Sequence, residues 1–253
     1  MKATNCIRAA LAGLWLAWLA GVSHAGQTHV AVAANFTDAA REIAAAFKQK
    51  TGHDAVLSFG SSGQLLAQIT QEAPFQIMLS ADEERPKKLV DDGFGIPESR
   101  FTYAVGKLVL WSRDPKTVTG ADTLKNGRFQ KVSIASPSAA PYGAAAIESM
   151  RALGLYDALK PKIVEGASIA QAFQFVDTGN AEVGFIALSQ LAGNNGGSRW
   201  LVDQTLYTPI RQDAVLLKKG AQNPAATAFM AFLKGPEARA TIEKFGYGLD
   251  DKR

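Results

Sequence analysis

Short polar side chains stand at three points where a strand-like run gives way to a helix-like pattern. Each is followed three residues later by a second polar residue, and the pairs are Asn35 with Asp38, Ser61 with Gln64, and Ser168 with Gln171. Serine with glutamine at this spacing is typical of a capping box, in which both side chains bond the first backbone N–H groups of a helix. We therefore expect helices to begin directly after Ser61 and Ser168, and another to follow Asn35 at the end of its strand.

These helix starts have the chemistry of an anion site. Unpaired N–H groups and the positive end of the helix dipole attract negative charge. If Ser61 caps its helix, the neighbouring Ser62 hydroxyl is free to donate a hydrogen bond outward. A fourth junction, residues 136–144, places Tyr142 just before a helix and adds a second hydroxyl donor. Because a single cap is usually structural, the prediction depends on the recurrence of the pattern.

The elements around these residues alternate between strands and helices. Strand-like runs cover residues 29–35, 55–60 and 75–81, and after the segment 103–111 a second series covers 132–137, 162–166 and 183–189. Helical patterns lie between them, and Gly235-Pro236 separates two further helices near the C-terminus. Repeated strand–helix–strand units predict an α/β fold with mainly parallel sheets, whose ligands bind at the carboxyl ends of the strands.

The chain is expected to form two lobes joined by two extended crossings, near residues 103–105 and 201–204. Lobe 1 then comprises residues 26–104 together with 203–253, and lobe 2 comprises residues 105–202. In this interpretation the last part of the chain returns to lobe 1.

The first 25 residues have the composition of a removable export signal. Two basic residues precede an apolar run over residues 9–22, and a small-x-small cleavage site ends at Ala25. Cleavage near Ala25 places the mature protein outside the cytoplasm. The only cysteine, Cys6, lies within the signal, so we expect a mature chain without a disulfide, a thiol nucleophile or a lipid anchor.

Charge argues against nucleic acid as a partner. The whole chain has 27 basic and 23 acidic residues, and two of the basic residues, Lys2 and Arg8, lie in the signal. The mature protein is therefore nearly neutral, and its sequence has no basic stripe of the kind that follows a nucleic-acid backbone.

A secreted hydrolase that uses Ser61 or Ser62 as nucleophile is the enzymatic alternative. The segment G-S-S-G differs from the G-x-S-x-G nucleophile motif, and the mature histidines, His29 and His53, stand in no base-bearing motif. The sequence also has no histidine pair at the spacing of metal ligands. We therefore expect a binding protein without a cofactor and not an enzyme.

Ordered motifs along most of the mature chain resemble the periplasmic molybdate-binding proteins of ABC importers. They are VAVAANFTDAAREIAAAFKQKTG, SFGSSGQLLAQI, FQIMLSAD, YGAAAIESMRALGLYDAL, GNAEVGFIALSQ and FLKGPEARATIEKFGY. The resemblance implies the two-lobed, type II periplasmic-binding-protein fold, with mixed sheets flanked by helices and the MoO4 dianion enclosed in the cleft between the lobes. It also implies a periplasmic monomer that delivers molybdate, and tungstate as well, to an ABC permease in the inner membrane.

The same resemblance implies a set of ligand contacts. They are Asn35, Ser62, Tyr142 and Ile169, the last through its backbone N–H, with Ala34 and Ser61 as weaker candidates beside them. Molybdenum is then bound only as the oxyanion, without direct metal-ion ligands. Many members have a tyrosine donor where this chain has Ala187, so its set of donors differs from theirs. Another oxyanion, such as sulfate or thiosulfate, is the alternative ligand on the same fold.

Overall fold

The computed structural model describes residues 25–194 and 196–250. The predicted export signal, residues 1–25 with Cys6, lies outside them except for Ala25. The strands are β1 (Gln27–Ala33), β2 (Asp54–Gly60), β3 (Ile77–Leu79), β4 (Phe101–Gly106), β5 (Leu108–Ser112), β6 (Val132–Ala135), β7 (Ile163–Gly166), β8 (Val183–Ala187), β9 (Ser198–Leu201) and β10 (Ile210–Leu216).

The α-helices lie between these strands and after the last of them. They are α1 (Thr37–Thr51), α2 (Ser62–Thr70), α3 (Glu84–Asp91), α4 (Asp122–Asn126), α5 (Pro141–Ala152), α6 (Tyr156–Leu159), α7 (Ile169–Asp177), α8 (Pro224–Lys234) and α9 (Pro236–Lys244). The predicted break at Gly235-Pro236 is confirmed, because α8 ends and α9 begins there.

Two five-stranded sheets organise the molecule. The first has the order β2-β1-β3-β10-β4, and the second has the order β7-β6-β8-β5-β9. In each sheet three neighbouring strands are parallel and the remaining pairings are antiparallel. The mixed sheets flanked by helices that the resemblance implied are therefore present, in two copies of one arrangement. The mainly parallel sheets expected from the strand–helix alternation are not, because half of the pairings in each sheet are antiparallel.

The chain passes between the sheets twice. The first passage is Lys107, between β4 in the first sheet and β5 in the second, and the second is the longer segment 202–209 between β9 and β10. The sequence presented residues 103–111 as one segment, whereas the structure divides them between the two sheets. Gly106 still pairs with Ile210 of the first sheet. The lobe boundaries given above, at residues 104/105 and 202/203, stay a prediction.

Helices cover both faces of each sheet. Along β1, Val30 and Val32 join the apolar cluster under α1, α8 and α9, whereas Ala31 joins the cluster under α2 and α3. In the second sheet Leu108 and Val109 likewise belong to different clusters. This alternation is the two-residue period of a strand with both faces buried. None of the helices within the described residues combines the length and the apolar composition that a membrane-spanning helix requires.

Candidate functional site

The N-terminus of α2 has the predicted capping box. Ser61 Oγ accepts from the Gln64 N–H at 3.4 Å, and Gln64 Oε1 accepts from the Ser61 N–H at 3.1 Å. Ser62, the first residue of α2, is 1% exposed, and its Oγ accepts from the Ala81 N–H at 3.0 Å. Because a serine hydroxyl both accepts and donates, this contact leaves the Ser62 proton available to another acceptor.

Asn35 differs from its predicted place at the end of a strand before a helix. Strand β1 ends at Ala33, and Asn35 lies in a 3-10 turn, Ala34–Phe36, before α1. Its side chain does not cap α1, because Asn35 Nδ2 donates to Gln212 Oε1 at 2.9 Å and to the Tyr247 hydroxyl at 3.0 Å. With both amide hydrogens in use, the remaining donor of Asn35 is its backbone N–H, at the start of the turn, where helical N–H groups have no partner within the helix.

Tyr142 lies within α5 instead of just before it. The helix begins at Pro141, since the fixed φ of proline suits the first helical position and its missing N–H costs no hydrogen bond there. Tyr142 is 1% exposed, and its hydroxyl accepts from Gln212 Nε2 at 3.2 Å. Burial, followed by nearby tyrosines, raises the Tyr142 pKa well above its ordinary value. The hydroxyl therefore stays protonated and can donate.

The room for the Tyr142 hydroxyl depends on Gly106, the last residue of β4. A Cβ atom at position 106 would lie 2.1 Å from the Tyr142 hydroxyl oxygen and 2.7 Å from Gln212 Nε2. Only glycine lacks that atom, so Gly106 permits the close approach.

Ile169 is the first residue of α7, and only half of the predicted capping box forms there. Ser168 Oγ accepts from the Gln171 N–H at 3.4 Å, but Gln171 Oε1 accepts from the Ala167 N–H at 2.6 Å instead of from Ser168. The Ile169 N–H, at the first helical position, has no partner within the helix. Ile169 is buried, and its carbonyl accepts from Gln190 Nε2 at 3.1 Å.

Hydrogen bonds between the two lobes bring part of the predicted set together. Gln212 in the first sheet bonds both Asn35 and Tyr142, and Ser189 Oγ of the second lobe donates to the Asn35 carbonyl at 2.9 Å. The Gly63 N–H, next to Ser62, donates to the Ala139 carbonyl at 2.9 Å. The lobes are therefore in contact around Asn35, Ser62 and Tyr142.

Sequence reasoning did not find four members of this buried polar cluster, which consists of Asn35, Tyr103, Tyr142, Ser189, Gln212 and Tyr247. The Tyr247 hydroxyl, near the end of the chain, donates to the Asn35 carbonyl at 2.7 Å or to Ser189 Oγ at 2.9 Å. The Tyr103 hydroxyl donates to the Ser80 carbonyl at 3.0 Å or to Gln212 Oε1 at 3.1 Å. Gln212 stands between Arg211 and Asp213 in the sequence of β10, so its neighbours do not mark it as buried, although a buried amide requires partners.

A charged rim lies at the mouth of the cleft and consists of Asp82, Glu83, Arg85, Arg211 and Asp250. Arg85 forms an ion pair with Asp82, and its Nη2 donates across the cleft to the Ser138 carbonyl at 2.8 Å. Arg211 bonds Glu83 and Asp250. A groove of about 350 Å³ runs between these residues and the second lobe, where it is lined by Ser138 and Glu148.

The structure gives no support to a serine nucleophile. Ser61 and Ser62 contact neutral groups, as described above, whereas His53 Nδ1 accepts from the Gly26 N–H at 2.9 Å at the other end of β2. Within residues 25–194 and 196–250, no three His, Cys, Asp or Glu residues are grouped so that they could hold a metal ion.

Comparisons with known proteins show the family to which the chain belongs. A family described as bacterial extracellular solute-binding protein matches residues 28–248. The molybdate-binding protein ModA of Rhodobacter capsulatus is 57% identical over 223 residues, covering 88% of this chain and 88% of that protein. ModA of Azotobacter vinelandii is 53% identical over 235 residues, covering 91% of this chain and 93% of that protein.

A solved structure gives the same result for the fold. The periplasmic molybdate-binding protein of Azotobacter vinelandii matches with a TM-score of 0.85 and 41% identity, covering 88% of this chain and 99% of that one. The predicted two-lobed, type II periplasmic-binding-protein fold is thereby confirmed. The relatives bind solutes and are not enzymes, which confirms the prediction of a transported ligand in place of a cofactor. The chain belongs to the bacterial extracellular solute-binding proteins and, within them, to the ModA-like molybdate-binding proteins.

Proposed function

We propose that this protein captures molybdate outside the cytoplasm and delivers it to an ABC permease in the inner membrane. The observation that carries the proposal is the state of two buried hydroxyls. Ser62 Oγ accepts from the Ala81 N–H, and the Tyr142 hydroxyl accepts from Gln212 Nε2. Each hydroxyl therefore has a proton left to donate to an oxygen atom of the anion.

The remaining proposed donors are backbone N–H groups. Those of Asn35 and Ile169 stand at the starts of helical segments, and the weaker candidate Ala34 begins the same turn as Asn35. Ser61 is the other weaker candidate; its Oγ accepts the capping bond from the Gln64 N–H and, like that of Ser62, keeps a proton to donate. Hydrogen bonds from such donors to a charged acceptor contribute about 1.5 to 3 kcal/mol each. Several of them together offset the several kcal/mol that burial of an ion costs.

Neutral donors also select the ligand. A fully deprotonated dianion accepts every bond that the site offers, whereas hydrogen phosphate brings an O–H group that needs an acceptor. Sulfate has the charge of molybdate but is smaller, so the size of the enclosed site disfavours it. Tungstate is nearly the size of molybdate, and we propose that it binds as well.

Delivery follows from closure of the lobes. We propose that ligand binding closes the two lobes by a hinge motion, that the closed form is the one that the permease recognises, and that the protein acts as a periplasmic monomer after cleavage near Ala25. A deletion strain should then lose molybdate uptake at nanomolar concentrations. Undiminished uptake in that strain would exclude the delivery role.

Calorimetric titration of the mature protein with molybdate, tungstate, sulfate and phosphate tests the ligand assignment. Molybdate and tungstate are expected to bind tightly, with sulfate and phosphate much weaker. Thermal unfolding gives a second readout, because a ligand at 100 times its dissociation constant adds about 2.7 kcal/mol of stability. If micromolar sulfate stabilised the protein as much as molybdate does, the assignment would change from molybdate to sulfate.

The variant Ser62→Ala tests the site itself. Loss of a buried donor to an anion should weaken molybdate binding by about 1 to 3 kcal/mol, or about 5- to 150-fold. The matched control is Ser99→Ala, because the Ser99 hydroxyl bonds the backbone of the first lobe, where it donates to the Ile96 carbonyl at 2.6 Å and accepts from the Leu216 N–H at 2.9 Å. Its loss should lower stability by about 1 kcal/mol while the dissociation constant changes little. An unchanged dissociation constant in Ser62→Ala would remove Ser62 from the site.

A further inference from the structure

Gln212 stands at the centre of the buried polar cluster and is 0% exposed. Its Oε1 accepts from Asn35 Nδ2 at 2.9 Å and from the Tyr103 hydroxyl at 3.1 Å, and its Nε2 donates to the Tyr142 hydroxyl at 3.2 Å. The Gln212 amide therefore accepts a hydrogen bond from Asn35 in the first lobe and donates one to Tyr142 in the second lobe.

The orientation of the Gln212 amide determines whether the Tyr142 hydroxyl can donate its proton to a ligand. A hydroxyl that accepts from Nε2 keeps its proton for another partner, whereas a hydroxyl facing Oε1 would donate to it and have no proton left for a ligand. The Asn35 Nδ2 group faces Oε1, and the reversed amide would place two N–H donors against each other. The contact between Asn35 and Gln212 therefore holds the amide in the orientation that leaves the Tyr142 proton free.

The local backbone of β4 and β10 is irregular at Gln212 and Tyr103. The pairing of β4 with β10 shifts between Gln212 and Asp213, because Gln212 pairs with Ala104 and Asp213 with Thr102. Tyr103 is thus the extra residue of a β-bulge, a feature that re-aims side chains next to functional sites. Tyr103 donates to Gln212, whereas Asp213 bonds Thr102 and Arg100.

We infer that Gln212 is a positioning residue for oxyanion binding: it directs the Tyr142 hydroxyl proton toward the ligand and links that donor to Asn35 across the cleft. The inference rests on the proposed function and deepens it, because it assigns the orientation of a donor in the second lobe to a side chain of the first lobe.

A double-mutant cycle on the full mature protein tests this role, with molybdate titration as the readout. Tyr142→Phe alone should weaken binding about 10- to 100-fold, the effect of a lost donor to an anion. Gln212→Met keeps a similar volume without hydrogen-bonding groups and should also weaken binding. In the Gln212→Met background, the further loss from Tyr142→Phe should shrink to about threefold or less, because the hydroxyl is no longer aimed.

The outcomes separate this inference from the proposed function. Additive losses, with Tyr142→Phe costing as much without Gln212 as with it, would overturn the positioning role and leave molybdate binding intact. A wild-type protein that binds none of the four oxyanions would overturn both. Thermal unfolding without ligand checks that each variant is folded, and if Gln212→Met is not, the same cycle is run with Gln212→Glu. That variant offers only acceptors to Tyr142 when ionised, and the same non-additivity is expected.

Discussion

The buried polar cluster and the charged rim lie within a few residues of each other along β10, yet they are built from different chemistry. Gln212, in the cluster, bonds an amide and two phenols, whereas its neighbour Arg211, in the rim, bonds two carboxylates. The cluster is almost completely buried, and the rim retains contact with water. The cluster that is proposed to receive the anion thus consists of neutral groups, whereas the charges of the rim lie where water can screen them.

The difference gives a physical basis for the proposed selectivity of a nearly neutral protein for a dianion. A buried arginine would attract every anion of the right size, including protonated ones, and would itself need compensation for lost solvation. Donors without charge contribute only when the ligand accepts their hydrogen bonds. Selectivity then follows from hydrogen-bond polarity and size instead of from attraction between charges.

The largest expected effect is a loss of folding stability at alkaline pH, where the buried tyrosines of the cluster would become charged. Burial raises the pKa of Tyr103, Tyr142 and Tyr247 above the ordinary value. The folded state therefore keeps protons that the unfolded state loses above pH of about 10. The stability associated with these groups is fully present below that pH and is lost as the pH rises toward the folded pKa values, by up to about 4 kcal/mol per pH unit for three groups.

Chemical denaturation between pH 8 and 11.5 measures this loss, and absorbance of phenolate in the native state reports which tyrosines have titrated. Tyr142→Phe is the matched variant, with one buried phenol fewer and a shallower decline. Native tyrosines that all titrate near pH 10 without loss of stability would contradict the description of the cluster as sealed from water.

A smaller effect is expected from crowding the cluster at Gly106. In Gly106→Ala the new methyl group would lie 2.1 Å from the Tyr142 hydroxyl oxygen, so the hydroxyl must move. Overpacking of this kind costs about 1 to 3 kcal/mol, and we expect molybdate affinity to fall by about 30-fold.

The control is Gly248→Ala, beside the same strand. A Cβ atom there would lie 3.5 Å from the Val105 Cβ, an ordinary contact, and Gly248 pairs with Val105 through its backbone. If Gly248→Ala binds molybdate with wild-type affinity and Gly106→Ala binds it more weakly, the result supports the close approach of the Tyr142 hydroxyl to Gly106. Equal behaviour of the two variants would show that the Tyr142 hydroxyl does not need this space.

The smallest effect is expected at the rim. Arg85→Gln removes the ion pair with Asp82 and the bond to the Ser138 carbonyl across the cleft. Partly exposed pairs contribute about 0 to 1 kcal/mol, so affinity should fall less than about fivefold, and the difference should shrink at 1 M salt, where screening is strong.

Lys48→Gln is the control for the rim, because the pair of Lys48 with Asp54 is exposed and lies within the first lobe. Titrations at low and high salt compare the two variants. A loss above about tenfold in Arg85→Gln that salt does not change would mean that the rim takes part in recognition, and the contrast between rim and cluster would fail.

Local sequence patterns predicted the elements better than the contacts. Alternation and capping signals located the sheets and the start of α2 because each depends on a few neighbouring residues. The start of α5 was placed two residues late, since Pro141 suits the first helical position and extends the helix backwards. The sequence placed Asn35 at the end of a strand, whereas its side-chain amide bonds Gln212 and Tyr247, which lie 177 and 212 residues farther along the chain.

The candidate site was only partly predictable for the same reason. Ser62 and Tyr142 could be named from motifs, and the resemblance to a family added Ile169. The role of Gln212 depends on the polarity of three hydrogen bonds that join β10, α5 and the turn at Asn35. No local pattern encodes that arrangement, because it exists only after both lobes have folded and met.

The single residue Lys107 between the sheets has a mechanical consequence. A rigid rotation about so short a connection moves each atom in proportion to its distance from the axis. Tyr142 lies against Gly106, next to that connection, so it travels a short arc when the lobes part as proposed. We therefore expect the Tyr142 hydroxyl to stay closer to the first lobe in the open protein than donors that lie farther from this connection.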